Sequence, residues 1–421
     1  MIPGSRGRRG SPGEGPPRGR FPKVSTFESF KDSNYRLYWA SMMSQMASTN
    51  MEMMARPWLM YELTGSPAML GVASLVQAVP MLALSLFGGV IADRVQKKKV
   101  IIISQIAAAL VNLSIALTIS LGAISVVYLL AAGFLNGVIF ALMMPSRHAI
   151  VPEIVGEERL MNAVALNSAV MNTNRLLGPA AAGFIIATTG IGSLYYVMTG
   201  LYLLATIPLI FMPSTGTISV GSSSPMSQIK ETMRYARKNT TVLFVLAFTF
   251  ISFSLSMPYQ QLLPVFTRDI LGVGPGGLGM LMSITGIGAL VGSLLVATLG
   301  NRSRGILFLH SLLILGLALV AFSFSPSYGL SLAMTIPLGL GQGGHMALSN
   351  VLVQTYTDAD YRGRMMSLYF MQFGLASFGT FGVAVLAQFV GVQWAVGSTA
   401  MLLILIALYS YAFLPRLRRL D

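Results

Sequence analysis

The chain has 421 residues, of which 54% are hydrophobic and only 10% are charged. This composition excludes an ordinary soluble domain and is typical of a protein that crosses the membrane many times. Cysteine is absent, so a disulfide framework and a thiolate metal site are excluded as well. The net charge of +14 is informative mainly through its distribution along the chain.

Residues 1–25 are rich in Gly, Pro, Ser and Arg, so we expect a disordered basic tail. Apolar stretches of about 20 residues, the length that a helix needs to cross a bilayer, then follow. They predict an all-α integral membrane protein with twelve helices, six within 26–212 and six within 239–414. The predicted helices are 37–61, 66–92, 99–121, 124–146, 161–189, 191–212, 239–267, 275–300, 304–324, 327–355, 363–389 and 392–414.

A polar break at 213–238 separates the two sets of helices, and its basic end predicts an amphipathic helix on the membrane surface. The pattern of residues 66–71 returns at 274–279, a shift of 208 residues. One half repeated on the other is the layout of a secondary transporter. The sequence therefore predicts two pseudo-symmetric six-helix bundles, followed by a basic tail at 415–421.

The basic residues fix the expected orientation. All but three of the 28 Lys and Arg lie in residues 1–36, before the first predicted helix, in the C-terminal tail, in the central linker or in alternate loops between the predicted helices. Basic loops stay on the cytoplasmic side, so we expect both termini in the cytoplasm. An even number of crossings is required for that arrangement, and twelve satisfies it.

The first predicted helix carries a possible ion pair. Glu52 is the one acidic residue of fourteen that lies clearly within a predicted helix, and Arg56 lies one turn further on the same face. Charges in hydrocarbon are costly unless they face a partner or water, so we expect this face to line a polar cavity. Two roles remain open for the pair, a structural lock between helices and the handling of substrate or protons.

The fifth predicted helix carries Arg175, which either anchors the helix or contacts substrate in the same cavity as the pair. In the tenth, His345 is either a packing residue or part of the transport path. Gly178 and Pro179 place a small-residue seam and a missing backbone donor beside Arg175. The amides proposed to line the cavity are Asn136, Asn167 and Asn172.

No nucleotide-binding loop, zinc-binding spacing or catalytic triad can be assembled from this sequence, so we expect neither an enzyme nor a cofactor. The expected partners are a small amphiphilic molecule, protons and membrane lipids, with no nucleic acid, and the expected state is a monomer. Methionine-rich predicted helices suit varied apolar ligands, because thioethers repack readily.

Several separated motifs resemble a known family. Residues 89–94 read GVIADR and are followed by Lys97 and Lys98, with Gln96 where a glycine is usual. Together with 63–66, 145–147, 151–153, 172–179 and 362–365, this run resembles the major facilitator superfamily. Within it the chain is similar to bacterial exporters related to the enterobactin exporter and the macrolide efflux pumps.

The resemblance implies two bundles that rock about a central cavity in the bacterial cytoplasmic membrane. It implies gating roles for Gly89, Asp93, Arg94, Lys97 and Lys98 in the loop between helices 2 and 3. Asp93 would pair with Arg362 or Arg364 when the cytoplasmic side closes.

The resemblance also favours export, because Gly178-Pro179 is similar to a motif of drug antiporters. Such antiporters often carry an arginine in helix 4, where alignment on Gly137 places Gly133. We therefore expect proton-coupled export of drug-, macrolide- or siderophore-like molecules, with Arg56 or Arg175 replacing that arginine. Movement of lipid or lysolipid between leaflets is the alternative.

Overall fold

The computed structural model describes residues 27–213, 225–299, 303–358, 361–418 and 420; within these, residues 85–94, 225–230, 416 and 417 are described by their backbone alone. The regular elements of these ranges are helices, numbered here in chain order. They are α1 Ser33–Thr64, α2 Pro67–Arg94, α3 Lys97–Ser120, α4 Val126–Thr189, α5 Ile191–Phe211, α6 Pro225–Lys238, α7 Thr240–Ser256, α8 Pro258–Val265, α9 Pro275–Thr298, α10 Arg304–Ser323, α11 Tyr328–Thr355, α12 Arg362–Val390, α13 Val392–Phe413 and α14 Pro415–Arg418.

Twelve membrane-crossing helices in two six-helix bundles confirm the predicted fold. Within the described ranges, nine helical segments are long and apolar enough to cross a bilayer, and one of them, α4, has the length for two crossings. The remaining two crossings are α1 and α11. These helices carry inward-facing polar residues such as Glu52 and His345, which lower the mean hydropathy without exposing charge to lipid.

The fourth and fifth crossings are two helices that meet at a kink at Gly156, so the loop predicted between 146 and 161 is wrong in its length. The residues on both sides of Gly156 are helical, and the helix is interrupted at Gly156 itself, where φ is 70° and ψ is 172°. Glycine adopts this conformation without the steric cost that a side chain would bring. We call residues 126–155 α4a and residues 157–189 α4b. Arg147, counted above as a loop residue, lies in α4a and is only 3% exposed.

The seventh crossing is also not the single helix predicted over 239–267. α7 ends at Ser256, and α8 begins at Pro258, which has no N–H to donate to the preceding turn. A π-helical turn, Phe266–Ile270, follows α8. The break places Met257 and Tyr259 at the level of the cavity described below.

Successive crossings run in opposite directions, so the turns alternate between two faces of the molecule. The Gly65 face carries the α1–α2 turn, and the Lys97 face carries the start of α3, the bend at Gly156 and α6. α1 begins at the Lys97 face, where Asp32 accepts a 2.8 Å hydrogen bond from the Asn34 N–H. It ends at Gly65, whose φ of 57° suits the left-handed cap that only glycine adopts readily.

Two helix pairs join the bundles, α2 with α12 and α4b with α9. Gly71 and Gly279 are separated by the 208-residue repeat shift, and each lies in one of these contacts. A Cβ on Gly71 would lie 2.8 Å from Ala384 Cβ, and one on Gly279 would lie 2.4 Å from the Pro179 carbonyl oxygen. The pseudo-symmetry therefore repeats one close contact, in which glycine lets helix backbones approach each other.

We predict that Gly279→Ala destabilises the protein by about 1–3 kcal/mol, because the new methyl group meets backbone atoms that cannot move aside. The midpoint of thermal unfolding of the purified protein in detergent measures the effect. Gly276→Ala, in the same helix, is the matched control, since its Cβ would lie 4.0 Å from Ala187 Cβ. Equal midpoints for the two variants would contradict the close contact.

Candidate functional site

The charged residues of α1 form a buried network. Arg56 Nη2 donates to Glu52 Oε1, and the side chains of Arg56 and Glu52 are 9% and 10% exposed. Asn136 Nδ2 of α4a donates to the same carboxylate oxygen at 2.6 Å. Arg56 Nη1 donates to Gln77 Oε1 of α2 at 2.8 Å. The network joins α1, α2 and α4a and compensates both charges within the N-terminal bundle.

Arg56 lies beside the glycine that stands where antiporters of the resembled family carry an arginine. A Cβ on Gly133 would lie 3.8 Å from Arg56 Nη1. The absence of a side chain at this position leaves room for a guanidinium that comes from α1 instead of α4a.

The pair does not share a cavity with Arg175, which corrects the expectation from the sequence. Glu52 and Arg56 point into the N-terminal bundle, near Tyr195 and Tyr202 of α5. By the helical period, Glu52 and Arg56 lie about 40° apart around α1. Asn50 and Met53, which line the cavity between the bundles, lie on another side of the helix. α1 therefore presents an ionic face to its own bundle and a different face to the partner bundle.

A cavity of about 250 Å³ lies between the bundles, and Arg175 is the charged residue in its wall. The described ion pairs are Glu52–Arg56, Lys97–Glu153 and Arg364–Glu231, and none of them includes Arg175. Most of the other lining side chains are apolar. The lining residues are Asn50, Met53, Arg175, Pro179, Met257, Tyr259, Gln260, Leu263, Met282, Thr285, Gly286, Met346 and Phe373.

Two of the predicted amides lie elsewhere. The Tyr35 hydroxyl lies 3.1 Å from Asn167 Oδ1, so Asn167 joins α4b to the first turns of α1. Asn172 lines a separate groove of about 430 Å³ between α4b and Leu290 of α9. Neither residue lines the cavity that contains Arg175, because Asn167 lies about 12 Å away along α4b and Asn172 faces the groove beside Leu290.

His345 also lies outside the cavity wall. It is 1% exposed, and its ring centroid is 5.2 Å from that of Phe253 and 4.9 Å from that of Phe308. Neither ring nitrogen has a hydrogen-bond partner among the described residues. This surrounding supports the packing alternative for His345.

The lysines predicted to act in gating bind within their own bundle. Lys97 Nζ donates to Glu153 Oε1 at 2.5 Å, which joins α3 to α4a. Lys98 Nζ donates to the carbonyl oxygens of Ile210, at 3.1 Å, and Met212, so it caps the end of α5. These contacts belong to a conformation closed at the Gly65 face, so the gating role implied for Lys97 and Lys98 when the Lys97 face closes stays a prediction.

Arg364 is held by the linker helix. Its Nη1 donates to Glu231 Oε2 of α6 at 3.0 Å, and the Tyr361 hydroxyl donates to Glu231 Oε1 at 2.9 Å. The hydrogen bond from Tyr361 lowers the pKa of the Glu231 carboxyl, and Arg364 acts in the same direction. Arg362 is exposed. Gly89, Asp93 and Arg94 end α2, in the segment whose side chains lie outside the described set.

Gly178 and Pro179 allow α4b to pack closely against a helix of each bundle, α1 and α9. A Cβ on Gly178 would lie 2.7 Å from Asn50 Cβ of α1, and the Pro179 carbonyl faces Gly279 of α9. Pro179 also removes the helical donor for the carbonyl of Arg175, and Gly286 packs against that carbonyl.

A polar contact closes the Gly65 face, and no motif in the sequence marks it. The Tyr61 hydroxyl donates to Asp269 Oδ2, and the Ser66 hydroxyl donates to Gln388 Oε1 at 2.8 Å. We call these two contacts the Tyr61 closure. Tyr61 and Asp269 are 208 residues apart, the repeat shift. Residues at equivalent positions of the two halves can touch each other only beside the pseudo-twofold axis. The 208-residue shift could therefore have identified Tyr61 and Asp269 as a candidate pair from the sequence.

The fold is that of a transporter of the major facilitator superfamily. The chain belongs to the family described as transmembrane secretion effector, which matches residues 24–421.

The similar proteins include two efflux proteins. The multidrug efflux pump Tap of Mycolicibacterium fortuitum is 26% identical over 388 residues, which are 89% of this chain and 94% of Tap. Macrolide efflux protein A of Streptococcus pyogenes is 22% identical over 404 residues, which are 94% of this chain and 99% of that protein. The resemblance to the efflux branch is thereby confirmed, and the lipid-transport alternative finds no support in these comparisons.

The crystal structure of the nucleoside transporter NupG has the same fold. It matches with a TM-score of 0.76 at 13% identity, over 90% of this chain and 99% of that chain.

We predict that Tyr61→Phe makes the Gly65 face open more often, by roughly fivefold, because a hydrogen bond to a carboxylate in a partly exposed contact contributes about 1 kcal/mol. The chain has no cysteine, so Met282→Cys is a single reporter in the cavity wall. The measurement is its labelling by a membrane-impermeant maleimide supplied from the Gly65 face. Glu62→Gln, an exposed neighbour, is the control. Equal labelling rates in all three proteins would show that the closure does not hold this face.

Proposed function

We propose that this protein exports amphiphilic small molecules by alternating access, in exchange for protons. The observation that carries the proposal is the cavity between the bundles, whose wall combines methionine and aromatic side chains with a few polar groups. Thioethers adapt to ligands of different shape, and the polar groups orient a ligand. The similarity of the chain to the multidrug efflux pump Tap and to macrolide efflux protein A supports export of small molecules.

The proposed cycle alternates between closure at the Gly65 face and closure at the Lys97 face. The Tyr61 closure and the contacts of Gly71 and Gly279 hold the first state. In the second state Asp93 pairs with Arg362 or Arg364. Arg364 is bonded to Glu231 here, so the exchange of one carboxylate partner for another would bias the two states.

We place proton coupling at Glu52. A proton on this carboxylate would cancel its charge and weaken both the bond from Arg56 within α1 and the bond from Asn136 that joins α1 to α4a. Arg56 would keep its bond to Gln77 of α2. Protonation would thereby favour a different packing of α1 in its bundle, which is the kind of bistable contact that conformational exchange requires.

The proposed setting is the bacterial cytoplasmic membrane, with the Lys97 face and both termini in the cytoplasm. The proposed functional unit is a monomer surrounded by lipid. We keep the domain boundaries proposed from the sequence, and in this orientation the linker at 213–238 lies on the cytoplasmic side.

Export is tested in proteoliposomes with three amphiphiles that share a dansyl group and an eleven-carbon chain. They are 11-(dansylamino)undecanoic acid, its primary amide and the corresponding 11-amino compound. We expect the parent protein to move at least one of them faster when a proton gradient is imposed. Movement of none of them, or movement that ignores the gradient, would contradict the proposed antiport.

We predict that Glu52→Gln reduces gradient-driven export to the rate seen without a gradient, while exchange of the probe down its own gradient continues. The amide keeps the shape of the side chain and cannot change its charge. Glu62→Gln, on the exposed end of the same helix, controls for the loss of one carboxylate. Export by Glu52→Gln at the parental rate across pH 6–8 would exclude Glu52 as the coupling site.

We predict that Asp93→Asn shifts the resting population toward closure at the Gly65 face, because it removes the carboxylate proposed to lock the Lys97 face. A slower reaction of Met282→Cys with maleimide from the Gly65 face is the expected result. Asp358→Asn, an exposed carboxylate of the Lys97 face, is the control. An unchanged rate would remove Asp93 from the proposed gate.

A further inference from the structure

We infer that the exported molecule carries an anionic group, such as a carboxylate, and that Arg175 binds it. The inference rests on the proposed function, since it assigns the substrate class of the same cavity. It depends on how the buried charges of the protein are distributed between that cavity and the N-terminal bundle.

Arg175 is the charged residue of the cavity wall and has no compensating partner in the described part of the chain. Its guanidinium donates no hydrogen bond to a described residue, which argues against a helix anchor that bonds neighbouring carbonyls. An arginine in a water-filled cavity surrounded by lipid keeps its charge and its five N–H donors. A planar acid group matches this fork of donors with two parallel hydrogen bonds.

No acidic side chain competes for this position among the described lining residues. Glu52, the carboxylate in the middle of α1, is occupied by Arg56 and Asn136 inside the N-terminal bundle. The pair is neutral as a whole, so the uncompensated charge of the described cavity wall is the positive charge of Arg175. Low-dielectric walls strengthen the field of this charge, which attracts an anion and disfavours a cation.

The remaining wall fits the apolar part of the same molecule. Met53 comes from α1, Met257 from the break between α7 and α8, Met282 from α9 and Met346 from α11. Gln260 and Asn50 add neutral amides beside the apolar surface. An amphiphile with one acid group would place its head on Arg175 and its body among the methionines.

The test uses the three dansyl amphiphiles, whose heads are anionic, neutral and cationic at pH 7.4. Dansyl fluorescence measures their binding to the full-length protein in lipid nanodiscs, with empty nanodiscs subtracted. We expect the acid to bind about tenfold or more tightly than the amide, because it adds a charge-assisted hydrogen bond, and the amine to bind most weakly. Arg175→Gln should remove the preference for the acid and leave binding of the amide within about twofold.

Arg237→Gln, which removes an exposed charge of α6, should keep the preference and controls for net charge. Arg175→Lys should keep part of it, since the charge stays and the fork is lost. The order of the three probes on the parent protein tests the inference even if Arg175→Gln does not fold. Equal binding of the three with gradient-driven transport would overturn the inference and keep the proposed export, whereas binding of none would overturn both.

Discussion

An arginine in the middle of a membrane must be compensated by a partner or by water, and this constraint shapes the structure. Arg56 is compensated by Glu52 and Gln77, so the first helix packs tightly into its bundle. Arg175 has no such partner among the described residues and lies at the cavity. The partners of Arg56 form a neutral network inside the N-terminal bundle, whereas the charge of Arg175 faces the space between the bundles.

The pseudo-symmetry of the two halves explains the packing but not the chemistry. Gly71 and Gly279 repeat one backbone contact on each side of the axis, and the Tyr61 closure lies beside that axis. In the second half of the repeat, the residue equivalent to Glu52 is Gln260 and the residue equivalent to Arg56 is Pro264. The ionic network is therefore confined to the N-terminal half, and the break at Pro258 gives the other half a methionine and a tyrosine at cavity level instead.

Hydropathy predicted the twelve crossings because the thickness of a bilayer imposes a length on each apolar run. Spacing along α1 likewise predicted that Glu52 and Arg56 pair. Neither pattern states which way a helix face points, because that depends on partners distant in sequence such as Gln77 and Asn136. The shared cavity expected for the pair and Arg175 was wrong for this reason. The helical residues on both sides of Gly156 were predicted as a loop because several of them are polar.

Separation of the ionic network from the cavity has a mechanical consequence. α1 bears the network on one face and Asn50 and Met53 on another, so a rigid helix connects the two. Gly178 packs against Asn50, which ties that second face to α4b and hence to Arg175. Under the proposed coupling, a proton on Glu52 would reach the ligand by displacing α1 against α4b, with no need for proton and ligand to compete for one side chain. Such coupling through a shared helix requires only that the packing of α1 has two stable arrangements.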